Sequence, residues 1–232
     1  MPALSPAFQR FEARLGEVKH LTSLSRKKVS GRSLALASEE HAAALCRAAT
    51  VLLSSHIQGY VEDLSDVVLG SLVSGSIPSS RIPDSFRYHA SRKSIDSIAA
   101  VVGEHRVQKI RDYQSQFGFL ITTGGVVSSE YEGLPFKDGF GNPTVAEIKK
   151  FLKRFGFENF EGEMKRRLKG EWLIVENAVN QTIDRRNKIA HGDPLATLTP
   201  ADLKQYTFLV RKFCSNTDRV TTKHFRSIGC TI

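Results

Sequence analysis

The chain has 232 residues, with 33 Lys and Arg against 24 Asp and Glu, a formal charge of +9 at pH 7. A composition 41% hydrophobic and 25% charged excludes disorder throughout and supplies enough apolar material for a substantial core in one soluble domain. The positive field steers polyanions, which ranks RNA or DNA first among partners and an acidic membrane surface behind them, a basic but inert surface being the simpler alternative.

Three cysteines, Cys46, Cys214 and Cys230, are odd in number, far apart and without CxxC spacing, so neither a disulfide framework nor a metal site is expected. Cys46 falls in an apolar helical run and reads as a small core residue. The opening MPALSPAFQRFEARLGE lacks the cationic and apolar segments of a secretory leader. No stretch approaches the roughly 18 apolar residues of a membrane span. A reducing cytoplasm, with no membrane contact, is the expectation.

Helical periodicity dominates the chain. From Ala7 to about Ser25, the residues Phe8, Phe11, Leu15, Val18 and Leu21 recur at spacings of three and four and predict an amphipathic helix. The basic stretch RKKVSGRS from Arg26 to Ser33 reads as an exposed loop. The run from Ser38 to about Val73, opened by a capping serine and two acids, places Leu45, Leu52, Leu53, Ile57, Tyr60, Val61, Leu64 and Val68 on a broad apolar face. Such a helix is normally central to an all-α bundle. SGSIPSS closes it.

A third helical region is expected from about Ser85 to Gln116, with a break near Gly103. Phe117 to Pro143 is rich in glycine and aromatics and reads as a long loop or small hairpin inserted between helices, either functional or ornamental. Its TTGG, Thr122 to Gly125, lacks the ending of a phosphate loop. Thr144 then restarts helix with a capping box to Glu147, and Ile148, Phe151, Leu152 and Phe155 point inward. KRRLK, Lys165 to Lys169, reads as a solvated helix face or a phosphate-contacting patch. A helix is expected over roughly Glu171 to His191, stopped by Asp193 and Pro194, and a last one from Thr199 to about Phe213. One all-α helical bundle spanning the whole chain, with an insertion at about 117–143, accounts for the pattern. Internal repeats are absent.

The segment DRRNKIAHGDP, Asp184 to Pro194, carries the chemistry. On a wheel at roughly 100° per residue, Trp172, Val175, Val179, Ile183 and Ala190 fall within about 40° of one line. Arg186 shares that line, and a guanidinium on an apolar stripe is costly unless it is paired or opens onto a polar cleft. Asn180, Asp184, Asn187 and His191 form a polar stripe about 110° away. Histidine moves protons near neutrality, arginine grips phosphate with a planar fork, and asparagine orients oxygens without changing charge. Together they suit cleavage of RNA by attack of a 2′-hydroxyl on its own phosphate, without a metal or other cofactor. The plainer alternative is a set of cations complementing the helix C-terminal dipole. His20, His41, His89, His105 and His224 show no ligand pairing and read as surface or core, while His56 is a further candidate for the cleft.

Arg186-Asn187-Lys188-Ile189-Ala190-His191 resembles the R-(N/D/H)-x-x-x-H signature of the HEPN superfamily, helical-bundle proteins that are mostly metal-independent ribonucleases. RAATVLLSSHIQGYVEDL, Arg47 to Leu64, is similar to the long helix that opens many of these domains, and the size resembles the stand-alone prokaryotic subgroup that includes RiboL-PSP-associated HEPN proteins. The resemblance implies a homodimer whose two motif helices face one cleft, with Arg186 and His191 as catalytic pair, Asn187 in support, and Arg185, Lys188, Gln58 and Glu62 near the substrate. It also implies a toxin or defence role against RNA, with an antitoxin or regulatory protein as a further partner.

Two departures stand out. Relatives often carry an acid on the early helix in an E-G-F/Y setting, where this chain has Gln58-Gly59-Tyr60, with Glu62 one turn on. One toxin branch has a modifiable tyrosine two residues after the histidine, where this chain has Asp193. A non-catalytic HEPN module that binds RNA, nucleotide or a partner protein is the first rival reading. A DNA-binding regulator is the second, and it requires a helix-turn-helix that the sequence does not display.

Overall fold

The computed structural model describes residues 4–26, 35–74, 77–122, 125–126, 135–193, 195–196 and 198–232. These residues are predominantly helical: α1 Pro6–Leu24, α2 Ala35–Ser74, α3 Asp84–Ala99, α4 Gly103–Ile121, α5 Val145–Arg154, α6 Phe160–Leu168, α7 Trp172–Ala190 and α8 Pro200–Ser227. No strand occurs among them beyond an isolated bridge between Pro78 and Val126, so the all-α expectation holds. The chain divides into two compact units, one comprising Met1–Leu64, Gly141–Ile148 and Glu161–Arg219, the other Ser65–Phe140, Lys149–Phe160 and Val220–Ile232.

In the first unit, α1 starts where Ser5 accepts a bond from the Phe8 amide at 3.3 Å and Pro6 supplies a preset φ. Its apolar stripe of Phe8, Phe11, Leu15 and Val18 is buried. The rings of Phe8 and Phe11 pack on Tyr60 of α2, at centroid distances of 6.3 and 5.4 Å. The helices run antiparallel, as paired side chains along them require: Asp63 meets Arg10 at 3.2 Å and Arg14 at 3.0 Å, while His56 meets Glu17 at 3.4 Å. Gly59 lies under the Arg14 guanidinium at this crossing, where a Cβ would come within 2.8 Å of it and make the arginine shift. His56 is therefore engaged with α1, and burial lowers its pKa against the pull of Glu17.

α8 binds both of these helices through buried polar groups. The Ser5 amide and hydroxyl both donate to the Asp218 carboxylate, the amide at 2.9 Å. The Tyr60 hydroxyl donates to the Cys214 carbonyl at 3.0 Å. Midway along α1, Arg211 pairs with Glu12 at 2.6 Å, and just past its end Arg26 donates to the Pro200 carbonyl at 3.2 Å. The sequence reading ended this last helix near Phe213, fourteen residues short of Ser227. Its second half buries Thr217, Asp218, Thr221 and Thr222, polar residues that erase the apolar period although they face inward.

In the second unit an aromatic cluster dominates. Phe136 stacks on Phe155 at 4.5 Å and packs on Phe86 at 4.8 Å, and Phe140 meets Phe151 at 4.5 Å. Phe136 and Phe140 belong to the stretch read as an insertion, so these aromatics are core residues. Phe117 to Ile121, also assigned to that stretch, are the end of α4; residues 123–124 and 127–134 lie outside those described. Gly156, at φ +90°, lets the chain turn after α5, where a Cβ would strike Pro83 at 2.3 Å. The expected break in the third helical region falls at 100–102, before Gly103 at φ +62°.

Other boundaries shift modestly. α2 begins at Ala35, so Ser38 lies inside it and does not open it. At α5, the Glu147 amide donates to the Thr144 hydroxyl at 3.3 Å, but the Thr144 amide donates to the Asn142 carbonyl, so half of the capping box forms. KRRLK is largely paired with neighbours: Lys165 with Glu161, Arg166 with Glu163, and Arg167 with Asn216.

Burial raises the pKa of Asp218, while hydrogen bonds from Ser5 and Tyr60 and the charge of Arg219 hold it down in part. The folded state then keeps a proton that the unfolded chain releases at lower pH, so the carboxyl's contribution to stability is lost as pH rises through the raised value. Unfolding free energies measured across that range are expected to fall with pH relative to Asp218→Asn, which cannot titrate. A gap that widens in favour of the native carboxyl as pH rises contradicts this account.

Candidate functional site

α7 positions the motif. Its buried face comprises Trp172, Val175, Ala178, Val179, Thr182 and Ile183, close to the stripe expected, except that Ala190 is exposed and Thr182 is sealed. The helix lies antiparallel to α8, to which Gln181 is joined through the Tyr206 hydroxyl and Glu171 through Lys212 at 2.6 Å. Asn180, which the wheel places on the polar stripe, accepts the Val145 amide at 3.0 Å and so caps α5. No sequence signal links positions 180 and 145, and this role was invisible before folding.

The last two turns hold the motif residues. Arg186 is half-buried, and its Nη1 donates to Asn187 Oδ1 at 2.9 Å. A residue that leaves the helix on the apolar line thus bends its guanidinium toward the polar side, which answers the cost of burying a charge. Lys188 pairs with Asp184 at 2.9 Å. Arg185 is half-buried and His191 exposed. Arg186 and His191, five residues apart, leave one helix roughly 140° apart and about 7.5 Å along its axis, so their convergence on one phosphate requires long side chains or a second copy of the helix.

The helix ends in a defined turn, Pro194 lying outside the described residues. His191, at φ −87° and ψ 7°, is the C-cap. Gly192 follows at φ +79°, its amide donating to the Ile189 carbonyl at 3.0 Å while the Asp193 amide reaches the Lys188 carbonyl at 3.0 Å. This paired pattern is a Schellman turn with glycine in the left-handed position. It holds the His191 backbone at the helix rim and leaves its ring in solvent.

On α2, Gln58 Nε2 donates to Glu62 Oε1 at 2.9 Å, both residues being half-buried. The amide and the acid are joined to each other, Gly59 makes room for Arg14, and Tyr60 lies in the core. The structure therefore brings together Arg186 with Asn187, Lys188 with Asp184, and Gln58 with Glu62. Among the described residues no group of three or more His, Cys, Asp or Glu is arranged to hold a metal ion.

A Cβ at position 192 meets no atom within 4 Å, so Gly192→Ala isolates the backbone cost of the left-handed turn. Chemical denaturation is expected to show a loss of about 1–2 kcal/mol, with Gly192→Asn closer to the parent because asparagine tolerates that conformation. Equal stability of all three chains contradicts the assigned turn.

No helix among the described residues is long and apolar enough to cross a membrane. No curated protein and no solved structure matches the chain. A family model described as RiboL-PSP-HEPN matches residues 9–223. That span takes in α1, the long α2, the motif helix and most of α8, and the chain belongs to the RiboL-PSP-HEPN family.

Proposed function

We propose that this protein is an endoribonuclease that cleaves RNA without a metal ion, in a cleft to which two copies of α7 contribute. The observation that carries the reading is the Arg186–Asn187 pair on the last turns of a helix whose rim presents His191 to solvent. An arginine fork held half-buried is preorganised to grip a phosphate and to offset charge growing on it. The exposed imidazole transfers protons. In the reaction the 2′-oxygen bonds to phosphorus as the bond from phosphorus to the 5′-oxygen breaks, leaving a 2′,3′-cyclic phosphate and a 5′-hydroxyl. His191 takes the 2′ proton or delivers one to the leaving oxygen, and Asn187 fixes the guanidinium.

Pairing of two α7 helices is supported by Leu173, 64% exposed and five helical turns before His191, hence on the same azimuth. An apolar residue in line with the catalytic face is better covered by a second copy than by water. The net charge of +9 favours a polyanionic substrate. Arg185 and Lys188 flank the motif and add to the local positive field. A toxin or defence role in the cytoplasm, restrained by an antitoxin or regulatory protein, fits such an activity.

One observation favours a second reading. Where relatives often have an acid on the early helix, Gln58 is bound to Glu62, and a weakened supporting shell suits a module that binds RNA or nucleotide, or docks a partner protein, without cutting.

The purified protein is expected to cleave single-stranded RNA in excess EDTA, with 2′,3′-cyclic phosphate ends. Arg186→Ala and His191→Ala should each slow cleavage by about 100-fold or more, and the parent should sediment as a dimer. Activity that needs added metal, or that survives His191→Ala, sinks this mechanism; RNA binding without cleavage selects the second reading.

A further inference from the structure

A groove of about 390 Å³ opens along the first unit, lined by Lys19, Thr22 and Arg26 of α1 and its end and by Lys204, Thr207, Phe208 and Arg211 of α8. None of these residues belongs to the motif helix. Phe208 is 60% exposed, unusual for a large aromatic on a helix whose other phenylalanines, Phe213 and Phe225, are fully buried. Four cations surround it.

Those charges are poorly compensated. Among the described residues, Glu12 is the carboxylate that meets them, pairing with Arg211 at 2.6 Å and standing 3.9 Å from Lys19. Arg26 donates to the Pro200 carbonyl, which is uncharged. The pocket around His89, Arg92, Lys93 and Arg154 is different: Asp138 lies within it and pairs with Lys93 at 2.6 Å, while Arg154 donates to the Phe136 and Asp138 carbonyls. Its cations already have partners.

An exposed ring amid four cations that share one carboxylate suits a ligand that alternates flat faces with negative charges. We propose that the α1–α8 groove is a binding track for single-stranded nucleic acid, with a base stacked on Phe208 and neighbouring phosphates held by Lys19, Lys204 and Arg26. Stacking on a ring and tracking of the backbone by cations is how single strands are gripped without sequence preference. The strand is taken to be RNA, which rests on the function proposed above. Binding here is separate from cleavage and places substrate on a surface outside the motif. An acidic protein segment would satisfy the cations but gain little from an exposed phenylalanine ring.

The test uses the full chain carrying His191→Ala, in EDTA, titrated against fluorescein-labelled oligouridine by anisotropy. Lys19, Lys204 and Phe208 are exposed, so their variants are expected to keep the parent's thermal midpoint. Phe208→Ala should weaken binding roughly tenfold, and Phe208→Trp should restore it. Lys19→Gln with Lys204→Gln should reduce the slope of log affinity against log salt by about 1.4, two contacts at roughly 0.7 each. Parent-like affinity and slope in these variants overturns the proposal. So does equal affinity for a duplex, or a change in self-association of the same variants with RNA affinity unmoved, which assigns the face to a second copy. Groove variants that fail to weaken binding leave the cleavage reading standing. Weakened binding in a protein that never cuts RNA removes the nuclease and keeps the track.

Discussion

A buried carboxylate holds the first unit together. Asp218 of α8 accepts both the amide and the hydroxyl of Ser5, at the start of α1, and Tyr60 of α2 donates to the Cys214 carbonyl one turn away. Three helices distant in sequence thus converge on a few polar atoms that would each be costly to leave unpaired. α8 is also joined to the motif helix at the surface, Lys212 to Glu171 just before α7 and Tyr206 to Gln181 within it.

The motif helix shows how a charge is tolerated on an apolar line. Over about three turns the inward positions are Trp172, Val175, Val179 and Ile183, and the next position on that line is Arg186. By then the helix is near its end. The guanidinium bends around the rim to Asn187 instead of entering the core. The Schellman turn at Gly192 closes the helix one residue later than the histidine and leaves the imidazole exposed. Arginine, asparagine, histidine and glycine in this order are thus one local arrangement: a guanidinium held by its neighbour, an exposed imidazole at the rim, and a turn that holds the rim in place.

The motif and the basic groove lie on different surfaces of the same unit. The motif lies at the C-terminal end of α7, whereas four cations that share the single carboxylate of Glu12 lie between α1 and α8. A net positive chain acts on a polyanion most effectively where its charges are not already neutralised by neighbours. By that measure KRRLK, the most conspicuous basic run, contributes less than its composition suggests, because Lys165 and Arg166 are paired with Glu161 and Glu163.

The residues alone determined the all-α class, the faces of α1 and of most of α7, the break near Gly103 and the RRNKIAH signature, since each depends on local period, capping or backbone freedom within a few turns. They also misdirected in physically specific ways. The inward polar residues Thr217, Asp218, Thr221 and Thr222 hid the second half of α8 because they interrupt its apolar period although they are buried, Asp218 being satisfied by the distant Ser5. Phe136 and Phe140 looked like loop residues because their packing partners, Phe86, Phe151 and Phe155, lie elsewhere in the chain. Only tertiary structure decided that Asn180 caps α5, that Arg14 crosses Gly59, and that an exposed Phe208 stands among cations. Each of these pairs groups from separate helices or turns on which of a cation's neighbours lie close enough to neutralise it, and a linear pattern carries neither distance.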